Sequence, residues 1–88
     1  MTKRPTPQLF RVDIAPDAQR EFHLLPPRVA QAVHRLLRTT MREDPENQGV
    51  RIRGQIKGYF LAWRSDFQIV YTVDHVGYTV SILRVEAR

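Results

Sequence analysis

The spacing of apolar residues changes period partway along this chain, and that change decides what it can fold into. Between Pro16 and about Arg42 apolar side chains recur at helical spacing, whereas beyond Gly49 they alternate and the helical period does not return. Ala18, Phe22 and Leu25 form one helical stripe; Val29, Val33, Leu36, Leu37 and Thr40 form a second. Pro26–Pro27 divides them, because the residue before a proline avoids the α region while proline itself suits the first turn of a new helix. The prediction is a tight helical hairpin, its second arm running from Arg28 to about Arg42 with Arg28, Gln31, Arg35, Arg38 and Arg42 on the more polar side.

An earlier stretch, Leu9 to Ile14, alternates with Phe10, Val12 and Ile14 on one face and Arg11 and Asp13 on the other, the pattern of a half-buried strand. The acidic, turn-rich run from Glu43 to Gly49 separates the helices from a meander. Its strands are Tyr59 to Arg64, Phe67 to Val73 after a turn at Ser65–Asp66, and Tyr78 to Val85 after a turn ending at Gly77; Val50–Arg53 can add a short one. Strand, two helices, then strands imply an α+β layer. The helical hairpin should cover one face of a small, mainly antiparallel four-stranded sheet and leave the other face open, with Phe67, Ile69, Tyr71 and Val73 turned to the helices.

Composition narrows the functional classes. Eighty-eight residues fit one domain, expected over residues 9–88 after a flexible lead-in at 1–8. With no cysteine there are no disulfides or thiolate metal sites, which favours a reducing cytoplasm over secretion. No apolar run nears the roughly 18 residues that span a bilayer, and MTKRPTPQ has no signal-peptide core, so no membrane partner is expected. The net charge is +5, and twelve of the 14 basic residues are arginine, the side chain suited to bidentate phosphate contacts; polyanions are plausible partners.

The segments LPPRVAQAV, RIRGQIKGYFLAWRSDFQIVY and VSILRVEAR, in this order and spacing from about Phe10 to Arg88, resemble the RelE branch of the RelE/ParE toxins. The resemblance implies the toxin component of a type II toxin–antitoxin system, neutralised by a cognate antitoxin and inhibiting translation at the ribosome by cutting messenger RNA or occupying the A site. Operator DNA would be met only through the antitoxin complex. Where such toxins cut, the ribose 2′-OH attacks the adjacent phosphate and cations stabilise the charge that develops on its oxygens. That chemistry needs no metal or cofactor, and His23, His34 and His75 are scattered without ligand spacing.

Carried over residue by residue, the resemblance makes Arg64 and Arg88 the candidate catalytic cations, Arg64 at the end of the strand before the turn and Arg88 after the "LRV" strand. A solvated turn cation and a frayed C-terminus are the plain alternatives. Arg51, Arg53 and Lys57, leading into the sheet, are candidate backbone contacts. Trp63 is the aromatic best placed to stack on a base, and Arg84 can serve the open face or act as a structural cation. Gln68 stands where messenger-cutting relatives usually have an arginine, and the chain ends at Arg88 without the tyrosine-bearing tail of several relatives. Both departures point to weak or absent catalysis. Two other functions stay open: a ParE-like, non-enzymatic DNA gyrase inhibitor, for which the hairpin looks short, and a degenerate toxin acting only with its antitoxin.

Overall fold

The computed structural model describes residues 8–54 and 58–88. The expected lead-in is therefore outside the described residues except for Gln8, and Lys57 is outside them as well. The chain runs β1 (Arg11–Ile14), α1 (Pro16–His23), α2 (Pro27–Arg38), α3 (Thr40–Glu43), a 3-10 turn (Pro45–Asn47), β2 (Val50–Arg51), β3 (Tyr59–Trp63), β4 (Phe67–Asp74) and β5 (Thr79–Ala87). Pro16 and Pro27 each occupy the first turn of a helix, where a missing N–H costs nothing, so the proline pair does divide α1 from α2.

The second helix ends earlier than its apolar spacing suggested. At Thr39 the backbone leaves helical geometry (φ −115°, ψ −99°), and a separate turn, α3, follows. The Thr39 hydroxyl donates back to the Arg35 carbonyl at 2.7 Å, a contact that bends helices. Tertiary bonds then hold α3 against the start of β1: Phe10 N donates to Arg42 O at 2.8 Å, and Arg42 Nε donates to Phe10 O at 3.2 Å. Met41, facing inward from this turn, is fully buried.

The sheet has five strands rather than four, in the order β1-β5-β4-β3-β2. The extra strand is the two-residue β2, in which Val50 pairs with Leu61 and Arg51 with Phe60. It can lie so close because Gly49 carries no side chain: a Cβ there would meet the Leu61 carbonyl oxygen at 2.6 Å. At the other edge β1 runs parallel to β5, while the remaining pairings are antiparallel. Asp74 Oδ1 accepts from the amides of Val76 and Gly77 and builds the β4–β5 turn, which extends through Tyr78 in the left-handed region (φ +49°).

The helical layer seals one sheet face. Val33, Leu36 and Leu37 of α2 and Ala18 of α1 share a core with Phe60, Ala62, Phe67, Ile69, Tyr71, Val80, Ile82 and Val85. Phe67, Ile69 and Tyr71 are buried as their alternation predicted, and Val73 packs against the same core. A bulge at Leu83, between the pairs Val70–Arg84 and Tyr71–Ile82, lets both Ile82 and Val85 face inward although three positions separate them. The opposite face of β3, β4 and β5 has no element over it among the described residues.

Candidate nucleic-acid interface

Register across the three long strands sets which side chains stand together on the open face. Trp63 lies opposite Gln68, and Gln68 opposite Glu86, so the three form a row across β3, β4 and β5. The Trp63 indole N–H donates to Gln68 Oε1 at 2.6 Å, and Gln68 Nε2 donates to Glu86 Oε2 at 2.8 Å. Both ends of the amide are thereby engaged, which fixes its orientation. Trp63 still exposes about half its surface (54%), leaving a ring face for a stacked base. Glu86 was not singled out from the sequence, although the alternation Arg84, Glu86, Arg88 along the last strand carried the signal.

Arg84 joins this face already neutralised. Its guanidinium makes a two-armed contact with Glu21 of α1, Nε to Oε2 at 2.9 Å and Nη2 to Oε2 at 2.8 Å, and lies 3.6 Å from Glu86. Glu21 also accepts from the backbone N–H of Val85 at 3.1 Å. The reason lies in strand length: β1 ends at Ile14, whose partner is Ile82, so β5 continues with β4 on one side only and the α1 carboxylate caps the amide exposed on the other. Hydrogen bonding from Arg84 holds the Glu21 carboxyl below its usual range, and the same contact raises Arg84. This places Arg84 in a tie between helix and sheet.

Arg64 does not stand with this row. It closes the β3–β4 hairpin opposite Phe67, a core-facing position, and its N–H donates to Phe67 O at 2.9 Å. The side chain reaches Gln48, Nη1 to the carbonyl at 3.2 Å and Nη2 to Oε1 at 3.3 Å, while Nη1 also donates to Trp63 O at 2.7 Å. The reading of Arg64 as a solvated turn cation is thus corrected: it is half-buried and ties the hairpin to the loop before β2. That loop is anchored again by Tyr71, whose buried hydroxyl donates to Pro45 O at 2.7 Å. Burial pushes the Tyr71 phenol up to about 12, against a smaller opposing effect of Arg64.

Arg88 lies at the same end of the sheet, its backbone N–H on Asp66 O at 2.8 Å and its Nη1 donating to Arg64 O at 3.3 Å, with the side chain exposed. Arg51 pairs opposite Phe60 and lines a groove of about 300 Å³ with Glu46, Gly58 and His75, away from the Trp63 row. Arg53 is exposed in the turn that Gly54 makes at φ +84°. The structure therefore gathers Trp63, Gln68, Arg84 and Glu86, sets Arg88 beside them, and separates Arg64 and Arg51.

A two-layer α+β domain with a sealed hairpin face and an open sheet face is shared with proteins that work in pairs. Its backbone matches the crystal structure of the toxin–antitoxin complex RelBE2 from Mycobacterium tuberculosis at a TM-score of 0.86 and 32% identity, over 91% of this chain and 99% of that one. The intact RelBE complex of E. coli shares the fold at a TM-score of 0.75 and 21% identity. This is the architecture of a small toxin from a toxin–antitoxin pair. In sequence the chain is 33% identical to Toxin RelG of M. tuberculosis over 79 residues, covering 90% of this chain and 91% of that protein, and 27% identical to Toxin RelE of the same organism. No family model matches it. The chain belongs to the RelE toxin family.

Proposed function

We propose that this protein is the toxin of a type II toxin–antitoxin pair that arrests translation by binding messenger RNA on the ribosome through the open sheet face, in the cytoplasm, until a cognate antitoxin covers it. The observation that carries the reading is the 33% identity to Toxin RelG across nine-tenths of both chains. Operator DNA is reached only in the antitoxin complex. On the open face Trp63 offers a stacking surface, the Gln68 amide a polar contact, and Arg88 a cation at the edge of the row.

The same row favours occupation of the A site over rapid cutting. Cleavage requires the 2′-oxygen to bond to phosphorus while the bond to the 5′-oxygen breaks, giving a cyclic phosphate and a 5′-hydroxyl. Charge builds on the phosphate oxygens as this happens. At this face Arg84 is engaged by Glu21, and Gln68, neutral and held between Trp63 and Glu86, adds no charge of its own. Among the described residues on this face Arg88 is left to balance the phosphate, so cleavage is expected to be slow. The test is translation and primer-extension mapping on programmed ribosomes beside a gyrase supercoiling assay. Arrest at the A site with supercoiling untouched is the expected result; inhibited supercoiling with translation intact overturns it.

A further inference from the structure

One member of the open-face row works against the messenger proposed for it. Glu86 is an exposed carboxylate on a surface meant for a polyanion. Among the described residues its one ion pair is with Arg84, at 3.6 Å, and that guanidinium is already bonded by two arms to Glu21. Arg88, two positions on, keeps its charge but turns Nη1 to the Arg64 carbonyl at 3.3 Å. The Glu86 charge is therefore only loosely balanced. Register adds a second feature. Val50, Leu61 and Val70 stand opposite one another across β2, β3 and β4, one row along from Trp63 and Gln68 on the same side of the sheet. None of the three belongs to the core, and Val50 is 68% exposed. Aliphatic side chains do little to hold a phosphate backbone, whereas a protein partner buries them at the centre of an interface.

We propose that the antitoxin anchors itself on this face with a basic side chain, an arginine by preference, laid over the Trp63 ring and paired with Glu86, while apolar residues of the same segment cover Val50, Leu61 and Val70. The inference rests on the antitoxin reading above and names the contact by which the cover is held. The indole N–H of Trp63 is tied to Gln68, so the ring keeps one orientation and leaves a face free. Only the Gln68 amide lies between that ring and the Glu86 carboxylate. A planar cation can therefore stack on the ring and bond to the carboxylate at once. Tryptophan and arginine are the side chains that most often carry the energy of a protein interface. A messenger base also stacks on Trp63, but its phosphate is repelled by Glu86. The two ligands thus share Trp63, and the carboxylate tilts the competition toward the antitoxin.

The test uses the whole chain and the antitoxin co-expressed with it, separated and recombined, with release of the antitoxin followed by surface plasmon resonance. A single-stranded RNA of about ten nucleotides is titrated in parallel by anisotropy. Trp63→Ala should speed antitoxin release about thirtyfold and weaken the RNA about tenfold. Glu86→Gln, which keeps the shape of the side chain, should separate the two ligands. Antitoxin release should be about tenfold faster, and RNA binding about threefold tighter, as expected for unit charges about 6 Å apart in water. Among single alanine replacements of the antitoxin's basic residues, one should cost nothing further in Glu86→Gln. Release at the wild-type rate from Glu86→Gln, with its thermal midpoint intact, overturns the proposal, as does the lack of any coupled cation in the antitoxin. So does weaker RNA binding by that variant, since Glu86 then reads the messenger. A toxin that sediments alone as a dimer, which Glu86→Gln dissociates, overturns it too, because the occupant is then a second copy. Arrest of programmed ribosomes is measured apart, and the release assay needs no ribosome, so either reading can fail without the other.

Discussion

Replacing Tyr71 with phenylalanine removes one oxygen from the centre of the fold and leaves the ring. Tyr71 has no exposed surface, stacks on Phe60 with ring centroids 5.3 Å apart, and donates its hydroxyl to Pro45 O at 2.7 Å. A net hydrogen bond of this kind is worth about 0.5–1.5 kcal/mol, and the cost grows toward about 3 kcal/mol when a buried partner is left unsatisfied. Pro45 O keeps one longer bond, from Gln48 N at 3.3 Å, so the loss should be about 1–2 kcal/mol. In a domain of this size that lowers the thermal midpoint by about 4–16 °C. The pH dependence gives a second readout. The folded phenol ionises near 12 instead of 10.0, so the unfolded chain loses this proton first. The stabilisation is whole below pH 10 and disappears as pH rises through 12. The gap in stability between wild type and Tyr71→Phe should therefore shrink between pH 10 and 12, measured by urea unfolding at fixed temperature. A midpoint unchanged within about 1 °C would refute the assignment of the bond to Pro45, and a gap that stays constant over that pH range would refute burial of the phenol as the control on its ionisation.

Three further outcomes are expected. Glu21→Gln should flatten the acid limb of stability: the lowered carboxyl stabilises the fold above its ordinary value of 4.5 and loses that effect as pH falls through the lower folded value, so thermal midpoints from pH 6 to 2.5 should converge with wild type at the acid end. Arg64→Ala should cost about 1 kcal/mol and loosen amide protection around Gln48, because its bonds tether that loop; full protection in hydrogen exchange would show the tether to be idle. Gln68→Arg alone should raise messenger cleavage little, since the new cation faces Glu86 across β4 and β5, whereas the double change with Glu86→Gln should raise it by about tenfold or more on programmed ribosomes. Equal gains from the single and double variants would remove Glu86 from that account.

The sequence by itself determined the parts of this protein that depend on near neighbours. Pro16 and Pro27 open helices because proline fixes its own backbone and restricts the residue before it. Alternation from Phe67 to Val73 chose the core side of β4, and the helical spacing of Val33, Leu36 and Leu37 turned the cations of α2 outward. What joins distant segments was decided only in the folded molecule. The parallel pairing of β1 with β5, the break at Thr39 and the brief strand β2 depend on which edges meet, and no local period encodes that. The Glu21–Arg84 tie spans 63 positions and exists because β1 stops short of the end of β5. Arg64 and Gln68 were read as parts of one phosphate site, yet the hairpin register turns Arg64 to the core side with Phe67 and Gln68 to the open side with Trp63 and Glu86. Neighbouring residues in a strand point to opposite faces, so a motif compact in sequence can be divided by the sheet that carries it.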